Sequence, residues 1–501
     1  MVDRHSGSPS GLIVLSFIFA SIFILTACSF ETSTPDTITH TSTPTFFIPT
    51  ATPVYVMEQT ATPDAPHPLP TLRSDEVQYV IQPNDSLGTL ANYYGITLKQ
   101  LAEINTIDNP DLIYPGQSIL IPPPAPIGVG LEYKIISDDL LLNSPAVISF
   151  DVFEYITHSN SFLSRYIEIV DDTPLSGAEI VYRISQEYSV NPKLLLSLLE
   201  IQGGWLNDQQ PSEMSLNYPL GMKSPHRTGL YRQLAWAADS LNRGFYLWRI
   251  NGLNTWLLAG DELLSISPVI NAGTAAVQYF SSLLHNYEEW LLFCGPDGLQ
   301  TTYINLFGDP FIQNPIQGKM IQQPLMRLPF SYEETWSFTG GPHGGWGNGS
   351  AWAALDFAPP GTELGCFTSD SWVTAVADGI IVYENNGLVI QDLDGDGYSQ
   401  TGWVVIYQHI ESRDRIKVGT IVQAGDPIGH PSCEGGISSG THVHIARRYN
   451  GEWIAADGHI PFVMDGWESR GTGRVYDGYL IREGQIVEAW ADRREENQIS
   501  R

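Results

Sequence analysis

The sequence has little positive charge and few charges of any kind. Its 501 residues include 25 Lys and Arg against 55 Asp and Glu, a formal net charge of −30, and charged residues make up only 16% of the chain. Because no basic run is present, the composition argues against nucleic acid as a partner and against adhesion to anionic lipid through a basic patch. With 46 Gly and 34 Pro, the chain is also unlike a long coiled coil.

Long apolar runs are equally scarce. One near the N-terminus covers residues 11–27 and ends in Leu-Thr-Ala before Cys28, but it is shorter than the ~20 residues that a spanning helix needs. Small residues before a cysteine are typical of a cleavage site. Segment 1–28 resembles a bacterial lipoprotein signal peptide. The resemblance implies a membrane-anchored protein outside the cytoplasm, attached through lipidated Cys28. A plain anchor helix with an incidental cysteine is the alternative.

The next segment, 29–77, is rich in Thr and Pro and has almost no apolar periodicity. Such a stretch cannot bury enough surface to offset the entropy of ordering, so it is predicted to be a disordered linker. The hydrophobic fraction of the whole chain, 43%, is sufficient for several folded domains. The overall prediction is a multidomain α+β protein.

Residues 78–122 have the pattern of a small β-α-α-β unit with a strand at each end. A first helix, capped by Asp85 or Ser86, should end before Gly95. A second helix should begin after Thr97. With Asn-Asp-Ser-Leu early and Ile-Tyr-Pro-Gly-Gln late, the unit resembles a LysM domain. That resemblance implies binding to N-acetylglucosamine-containing glycans such as peptidoglycan.

Residues 131–325 have mostly helical periodicity. Apolar residues recur at a spacing of three to four over 177–187 and 191–201, and a Gly-Gly pair should stop the second helix. The sequence from Val-Asn-Pro-Lys to Gln-Gly-Gly-Trp resembles the lysozyme-like helical core of lytic transglycosylases.

The chemistry of that family needs a protonated carboxylic acid beside the scissile oxygen. Where the family carries Glu, this chain has Gln202, and Glu200 lies two positions away, on another side of the helix. A non-catalytic, glycan-binding or spacer role is therefore expected. The alternatives are an ordinary helical domain and a glycosidase that uses Glu200 as its acid.

Residues 326–465 change to a period of two, with short strand-like segments separated by Gly, Asp and Pro. In Thr-His-Val-His, His442 and His444 are two positions apart in a strand, so they should project to the same face. By the same rule Tyr407 and His409 should share a face at the end of another strand.

Two further candidates come earlier in this region. His343 follows Gly-Gly-Pro, and Asp356 ends an apolar run. Each candidate alone is equally consistent with a hydrogen-bonded core histidine or with an aspartate that caps a turn. Together the histidines and the aspartate form a set of ligands suited to zinc.

These motifs resemble the zinc metallopeptidases related to lysostaphin. The match is to the beta-lytic endopeptidase branch, which has Gly-Gly-x-His, a long gap and Leu-Asp in place of a compact His-x-x-x-Asp. The resemblance implies an antiparallel β-sheet metallopeptidase domain with zinc held by His343, Asp356 and His444. It makes His409 and His442 the catalytic imidazoles, one to activate water and one to stabilise the oxyanion or protonate the leaving group. His442 is the natural candidate for the first role, but the sequence does not decide between the two. The His-Glu-x-x-His signature of another metalloprotease class is missing.

The cysteines and one acidic loop leave further options. An exported compartment permits a bridge between Cys366 and Cys433, and Cys294 should then be a buried free thiol. The loop that starts at Asp392 resembles the opening of a calcium loop, but Trp403 stands where such a loop ends in Glu. A simple hairpin turn fits equally well.

The sequence thus predicts a membrane-tethered peptidoglycan hydrolase. A zinc metalloendopeptidase would cut the cross-linking peptides, a LysM domain would hold the glycan, and residues 466–501 would form a C-terminal extension. The alternative is a catalytically inactive scaffold that binds the wall or activates another hydrolase.

Overall fold

The structure is a computed structural model that describes residues 67–311 and 322–501. The signal-like segment 1–28, with Cys28, and most of the Thr- and Pro-rich stretch lie outside the described residues. Within those two described ranges, none of the helices has the length and apolar character needed to cross a membrane.

The first domain is a β-α-α-β unit made of β1 (Val77–Val80), α1 (Leu87–Tyr94), α2 (Leu98–Ile104) and β2 (Ser118–Ile121). The two strands pair antiparallel. As expected, Ser86 caps α1 by accepting the Thr89 N–H, and α1 ends at Gly95, whose φ of 66° suits glycine. Thr97 and Gln100 form a capping box at the start of α2.

A helical region follows. Its helices are α3 (Asp138–Leu141), α4 (Val152–His158), α5 (Gly177–Tyr188), α6 (Pro192–Gly203), α7 (Glu213–Asn217), α8 (Leu230–Arg249), α9 (Ala272–Ser282), α10 (Tyr287–Cys294) and α11 (Leu299–Phe307). Two hairpins join them, β3 (Ile167–Val170) with β4 (Thr173–Ser176), and β5 (Thr255–Leu257) with β6 (Leu263–Ser265). The two amphipathic segments expected from periodicity correspond to α5 and α6, and α6 ends at Gly204 with φ 71°.

The first domain is fixed to the helical region on both sides. Before the domain, the ring of His67 stacks on Trp248 with centroids 4.3 Å apart, and after it the Gly130 N–H donates to the Ser265 carbonyl at 2.8 Å. Within the domain, the start of α2 is bound as well. There the Asp261 carboxylate accepts the N–H groups of Leu98 at 3.1 Å and Lys99 at 2.8 Å. The first domain and the helical region therefore form one body.

The C-terminal region is built from antiparallel sheet. Its strands are β7 (Trp336–His343), β8 (Ala354–Ala358), β9 (Val373–Thr374), β10 (Gly379–Asn385), β11 (Leu388–Asp392), β12 (Trp403–Gln408), β13 (Ile421–Val422), β14 (Pro427–Gly429), β15 (Val443–Tyr449), β16 (Glu452–Trp453), β17 (Val463–Met464), β18 (Trp467–Gly471), β19 (Gly478–Arg482), β20 (Gln485–Glu488) and β21 (Gln498–Ile499). The main sheet has the order β13-β10-β11-β12-β15-β8-β7-β21, with β16 paired to β15.

The segment expected to be an extension, 466–501, folds onto this region. Strand β21 pairs with β7, and β18 to β20 form a small sheet with β17. The chain end therefore contributes to the same structure as the predicted peptidase domain.

The two faces of the main sheet have different partners. Leu355 and Ile445 point into the core of the C-terminal region. Ala354 and Ala446 belong to the hydrophobic cluster formed with the helical region. Since side chains alternate along a strand, Asp356 and His444 lie on the face that is turned towards the helical region.

Candidate metal centre

Three neighbouring strands bring the proposed metal ligands together. His343 ends β7, Asp356 lies in β8, and His444 lies in β15 directly opposite Asp356 in the strand register. The pairing of β7 with β8 is irregular on either side of Gly340. A Cβ at Gly340 would lie 2.5 Å from the Asp356 carboxylate, so glycine leaves the room that this side chain occupies.

The ligand atoms converge closely. The Asp356 Oδ1 lies 3.2 Å from His343 Nε2 and 3.2 Å from His444 Nδ1, and the two nitrogens are 2.9 Å apart. Ligands about 2.0–2.1 Å from a tetrahedral zinc ion lie roughly 3.3 Å from one another. The three atoms therefore fit around a single ion. Over residues 67–311 and 322–501, no fourth His, Cys, Asp or Glu joins this group.

The hydrogen bonds of the two rings fix which nitrogen faces the site. His343 donates its Nδ1–H to the Gly341 carbonyl at 2.8 Å, and His444 donates its Nε2–H to the Gly345 carbonyl at 3.1 Å. When both rings are neutral, the facing nitrogens therefore carry lone pairs, and their short contact is then not a hydrogen bond. Asp356 Oδ1 is buried and receives no hydrogen bond. Three electron-pair donors directed at one another without a proton between them fit a bound cation.

Electrostatics support the ionised form of the aspartate. Burial raises the pKa of Asp356, but the positive charge that His343 and His442 carry when protonated outweighs that effect and holds the pKa of the carboxyl well below its usual value. A bound cation would act in the same direction. A carboxylate with a lowered pKa is available as a metal ligand across the neutral range.

Two further imidazoles lie beside the ligands. The rings of His409 and His442 are 4.5 Å apart, and the His442 Nε2 is 3.7 Å from Asp356 Oδ1. Their Nδ1 atoms contact the carbonyls of Glu434 at 2.8 Å and Gly440 at 2.7 Å. These bonds place the proton of each neutral imidazole on Nδ1, so that Nε2 carries the lone pair. Burial and the neighbouring rings lower the pKa of His409 to about 3.

The expectation that Tyr407 and His409 share a face is wrong. Tyr407 points into the core of the C-terminal region, where its hydroxyl binds Gln391. His409 has a φ of 65°, a conformation that interrupts the alternation of side chains and turns its ring towards His442. Strained backbone of this kind is often found at functional sites.

A disulfide joins the two loops beside these imidazoles. Cys366 and Cys433 are bridged, and the Thr441 N–H binds the Gly365 carbonyl at 3.0 Å. Glu434, whose carbonyl orients His409, directly follows Cys433. The bridge therefore restrains the loop that orients one imidazole. Cys294 is a buried free thiol, as expected.

Tyr476 is a site residue that sequence reasoning missed. Its ring stacks on His343 with centroids 4.2 Å apart, and its N–H donates to the Pro342 carbonyl at 3.2 Å. It belongs to 466–501, where no motif pointed to the site. A lone aromatic residue far along the chain offers no spacing signal that could have identified it.

The acidic loop has a structural explanation. The Asp392 carboxylate accepts the backbone N–H groups of Asp394, Gly395 and Gly397, which closes a tight turn. Burial and a hydrogen bond to Asp392 raise the pKa of Asp394 to about 7. Asp396 brings a third carboxylate close to these two. Calcium binding at this loop stays a prediction.

In the helical region, Glu200 and Gln202 engage different groups. Glu200 accepts the N–H groups of Leu206 and Asn207 and the Asn207 side-chain amide. Gln202 instead contacts His285. Glu200 therefore anchors the loop after α6, which argues against its use as a glycosidase acid.

Comparison with known families matches three segments of the chain. Residues 79–122 match the LysM domain, 134–317 the N-terminal domain of LasA, and 358–456 peptidase family M23. The M23 match contains the three later histidines of the site, whereas His343 and Asp356 precede it. The likeness of the helical region to lytic transglycosylases stays a prediction.

Whole-chain comparison gives similar results. The chain is 26% identical over 336 residues to Protease LasA of Pseudomonas aeruginosa, covering 62% of this chain and 75% of LasA. It is 26% identical over 168 residues to the Beta-lytic metalloendopeptidase of Lysobacter enzymogenes, covering 32% of this chain and 90% of that protein. A solved structure of the M23 metalloprotease Pseudoalterin is 26% identical and covers 36% of this chain and 99% of its own, with a TM-score of 0.29. The sequence matches show that the chain is homologous to LasA and to the beta-lytic metalloendopeptidases.

Proposed function

Because the chain combines a LysM domain with an M23-type peptidase domain, we propose that it is a zinc metalloendopeptidase that cleaves the cross-linking peptides of peptidoglycan. The observation that carries the proposal is the convergence of His343 Nε2, Asp356 Oδ1 and His444 Nδ1 with no proton between them. The two adjacent imidazoles, His409 and His442, supply the proton-transfer groups that a hydrolytic site also needs.

Zinc held by His343, Asp356 and His444 would act as a Lewis acid on a peptide carbonyl and would lower the pKa of a water molecule towards 7. The remaining chemistry belongs to the two other imidazoles. The Nε2 atom of His442 lies 3.7 Å from Asp356 Oδ1, and its Nδ1 is bonded to the Gly440 carbonyl, so Nε2 is placed to take the proton of the attacking water. His409, whose ring centroid is 4.5 Å from that of His442, is assigned to the oxyanion or the leaving amine. Because burial favours its neutral form, it would have to gain a proton on Nε2 during the reaction.

The LysM domain is proposed to hold the glycan part of the same polymer. Glycan strands and peptide cross-links would then meet two domains of one chain. We also propose that the protein is a lipoprotein of the cell envelope, anchored through Cys28, with the Thr- and Pro-rich segment as a tether. That proposal is supported by the apolar run and the small residues before the cysteine. Replacing Cys28 with Ser should release the protein from membrane fractions, and unchanged membrane association would contradict it.

Purified peptidoglycan provides the test of the main proposal. The wild-type protein should release fragments whose masses show newly cut peptide bonds and intact sugars, and a chelator should stop the release. His444→Ala should lose both zinc and activity. His158→Ala, an exposed histidine on α4, is the matched control and should keep both. Fragments with altered sugar ends would instead indicate a glycosidase. Zinc binding without any release would support the inactive scaffold.

A further inference from the structure

The loop that follows His343, residues 344–350, carries the carbonyl that orients another ligand. The Gly345 carbonyl accepts the Nε2–H of His444 at 3.1 Å. This hydrogen bond keeps the proton on Nε2 and leaves the lone pair on Nδ1 for a metal. Partners of this kind, one bond removed from the metal, commonly affect its affinity by about 10- to 100-fold.

The helical region holds this loop from one side. Asp239, on α8, accepts the N–H groups of Asn348 at 2.9 Å and Gly349 at 2.8 Å through the same Oδ1. A carboxylate that accepts two backbone N–H groups forms stronger bonds than a neutral acceptor would. Within the loop, the Ser350 hydroxyl accepts the Trp346 N–H at 3.0 Å. Asp239 and Ser350 therefore fix the path of the loop.

Trp453 supports the loop from the other side. A Cβ at Gly345 would lie 2.4 Å from the Trp453 ring, so the glycine backbone packs directly on the indole. Trp453 is fully buried, and the helical region holds it as well. Its Nε1–H donates to the Tyr188 carbonyl at 3.2 Å, and its backbone N–H donates to the Tyr246 hydroxyl at 2.8 Å.

The contact between the two regions is extensive and apolar. Ile390, Val404 and Ile406 project from the main sheet into the hydrophobic cluster of the helical region, and each is at most 1% exposed. Separation of the two regions would expose this apolar face of the sheet to water, which is unfavourable.

We infer that Asp239 is a positioning residue of the metal centre, acting through loop 344–350 and the Gly345 carbonyl on His444. The helical region is then part of the metal site and is more than a spacer. The inference rests on the proposed function only in requiring that His343, Asp356 and His444 bind a metal. Whether peptide bonds are cut does not affect it.

The test uses the full-length protein and three variants. Asp239→Ala removes the acceptor, whereas Asp239→Asn keeps an oxygen in the same place. Ser399→Ala removes a different hydrogen bond between the two regions, the one to Gln186 at 2.6 Å, without touching the loop. Zinc affinity is measured by competition with a chromophoric chelator. The absorption spectrum of the cobalt-substituted protein reports ligand geometry.

Asp239→Ala should weaken zinc binding by about 10- to 100-fold and alter the cobalt spectrum. Asp239→Asn, which keeps a weaker neutral acceptor, should lose less affinity than Asp239→Ala, and Ser399→Ala should remain close to wild type. Should Asp239→Ala fail to fold, Ser350→Ala loosens the loop from within and should give the same loss. Wild-type affinity and spectrum in a folded Asp239→Ala, or in Ser350→Ala, would overturn the inference. Absence of zinc binding in the wild type would contradict the proposed function itself.

Discussion

Asp356 and His444 lie opposite each other on adjacent antiparallel strands, and the carboxylate oxygen is 3.2 Å from the ring nitrogen that faces it. Both atoms are acceptors, because the other nitrogen of His444 donates to the Gly345 carbonyl. Without a metal, only a proton on one of the rings can satisfy these acceptors. Burial alone would lower the pKa of His343, but Asp356 outweighs that effect and raises it. The fold therefore maintains an acceptor-rich site that a metal ion would satisfy.

Asp356→Asn should stabilise the metal-free protein. The amide can donate a proton to an imidazole lone pair, which removes the cost of an unsatisfied buried acceptor, about 1–3 kcal/mol. With chelator present, the variant should therefore melt above the wild type. Excess zinc should raise the wild-type stability, by about 4 kcal/mol at 1,000 times the dissociation constant, and should leave Asp356→Asn unchanged. Equal responses of the two proteins to zinc would contradict the assigned ligands.

The two other imidazoles should be required for turnover and dispensable for the metal. His442→Ala should lower kcat by about 10²–10⁴-fold while zinc content stays at one ion per chain. For His409 the suitable replacement is Asn, which tolerates the φ of 65° better than Ala does. His409→Asn should also lower kcat with zinc retained. Loss of zinc in either variant would show that the ring is a ligand.

Removal of the disulfide should lower the free energy of unfolding more than replacement of the free Cys294 would. The bridge between Cys366 and Cys433 closes a loop of 67 residues, and removal of a native bridge typically costs about 2–5 kcal/mol. The double Ser variant should unfold at lower urea concentration and should also lose activity, because the loop that carries Glu434 is freed. Reductant should act likewise on the wild type and have no effect on the double variant. Unchanged activity would mean that the bridge does not support the imidazoles.

The acidic loop should give the protein a pH-dependent stability. The pKa of Asp394 is raised from its ordinary 3.8 to about 7, so between these values the folded chain holds a proton that the unfolded chain has released. Its contribution to stability is complete below pH 4 and is lost as the pH rises through 7. Asp394→Asn should therefore gain stability over the wild type between pH 5 and 8, as judged by thermal melts.

Calcium binding can be tested in the same melts. A cation bound by Asp392, Asp394 and Asp396 would stabilise the wild type at pH 8 and act much less on Asp394→Asn. No effect of calcium on the wild type at pH 8 would remove this site from consideration.

Local signals in the sequence were the most informative about the fold. The caps at Ser86 and Thr97 and the helix stop at Gly204 were predicted because each depends on neighbouring residues alone. The candidate ligands could be selected because His and Asp in such strand motifs are uncommon, and because the order of the motifs resembles that of a known family. Their mutual distances could not be predicted, since they depend on strand register.

Long-range features escaped sequence reasoning. The φ of His409 has no sequence signal, so simple alternation assigned its ring to the wrong face. Tyr476 lies in a segment taken for an extension, and its contact with His343 depends on how the chain end folds back. Asp239 is an ordinary helix residue until a loop more than a hundred positions later packs against it.

The attachment of the first domain has a mechanical consequence. Asp261 holds the start of helix α2, and the chain on either side of the domain is bound to the helical region. A module secured in this way has no hinge of its own. A polymer bound by this module would be held at a fixed orientation to the rest of the molecule. The fold itself would then set the distance between the bound glycan and the peptide bond that is cut.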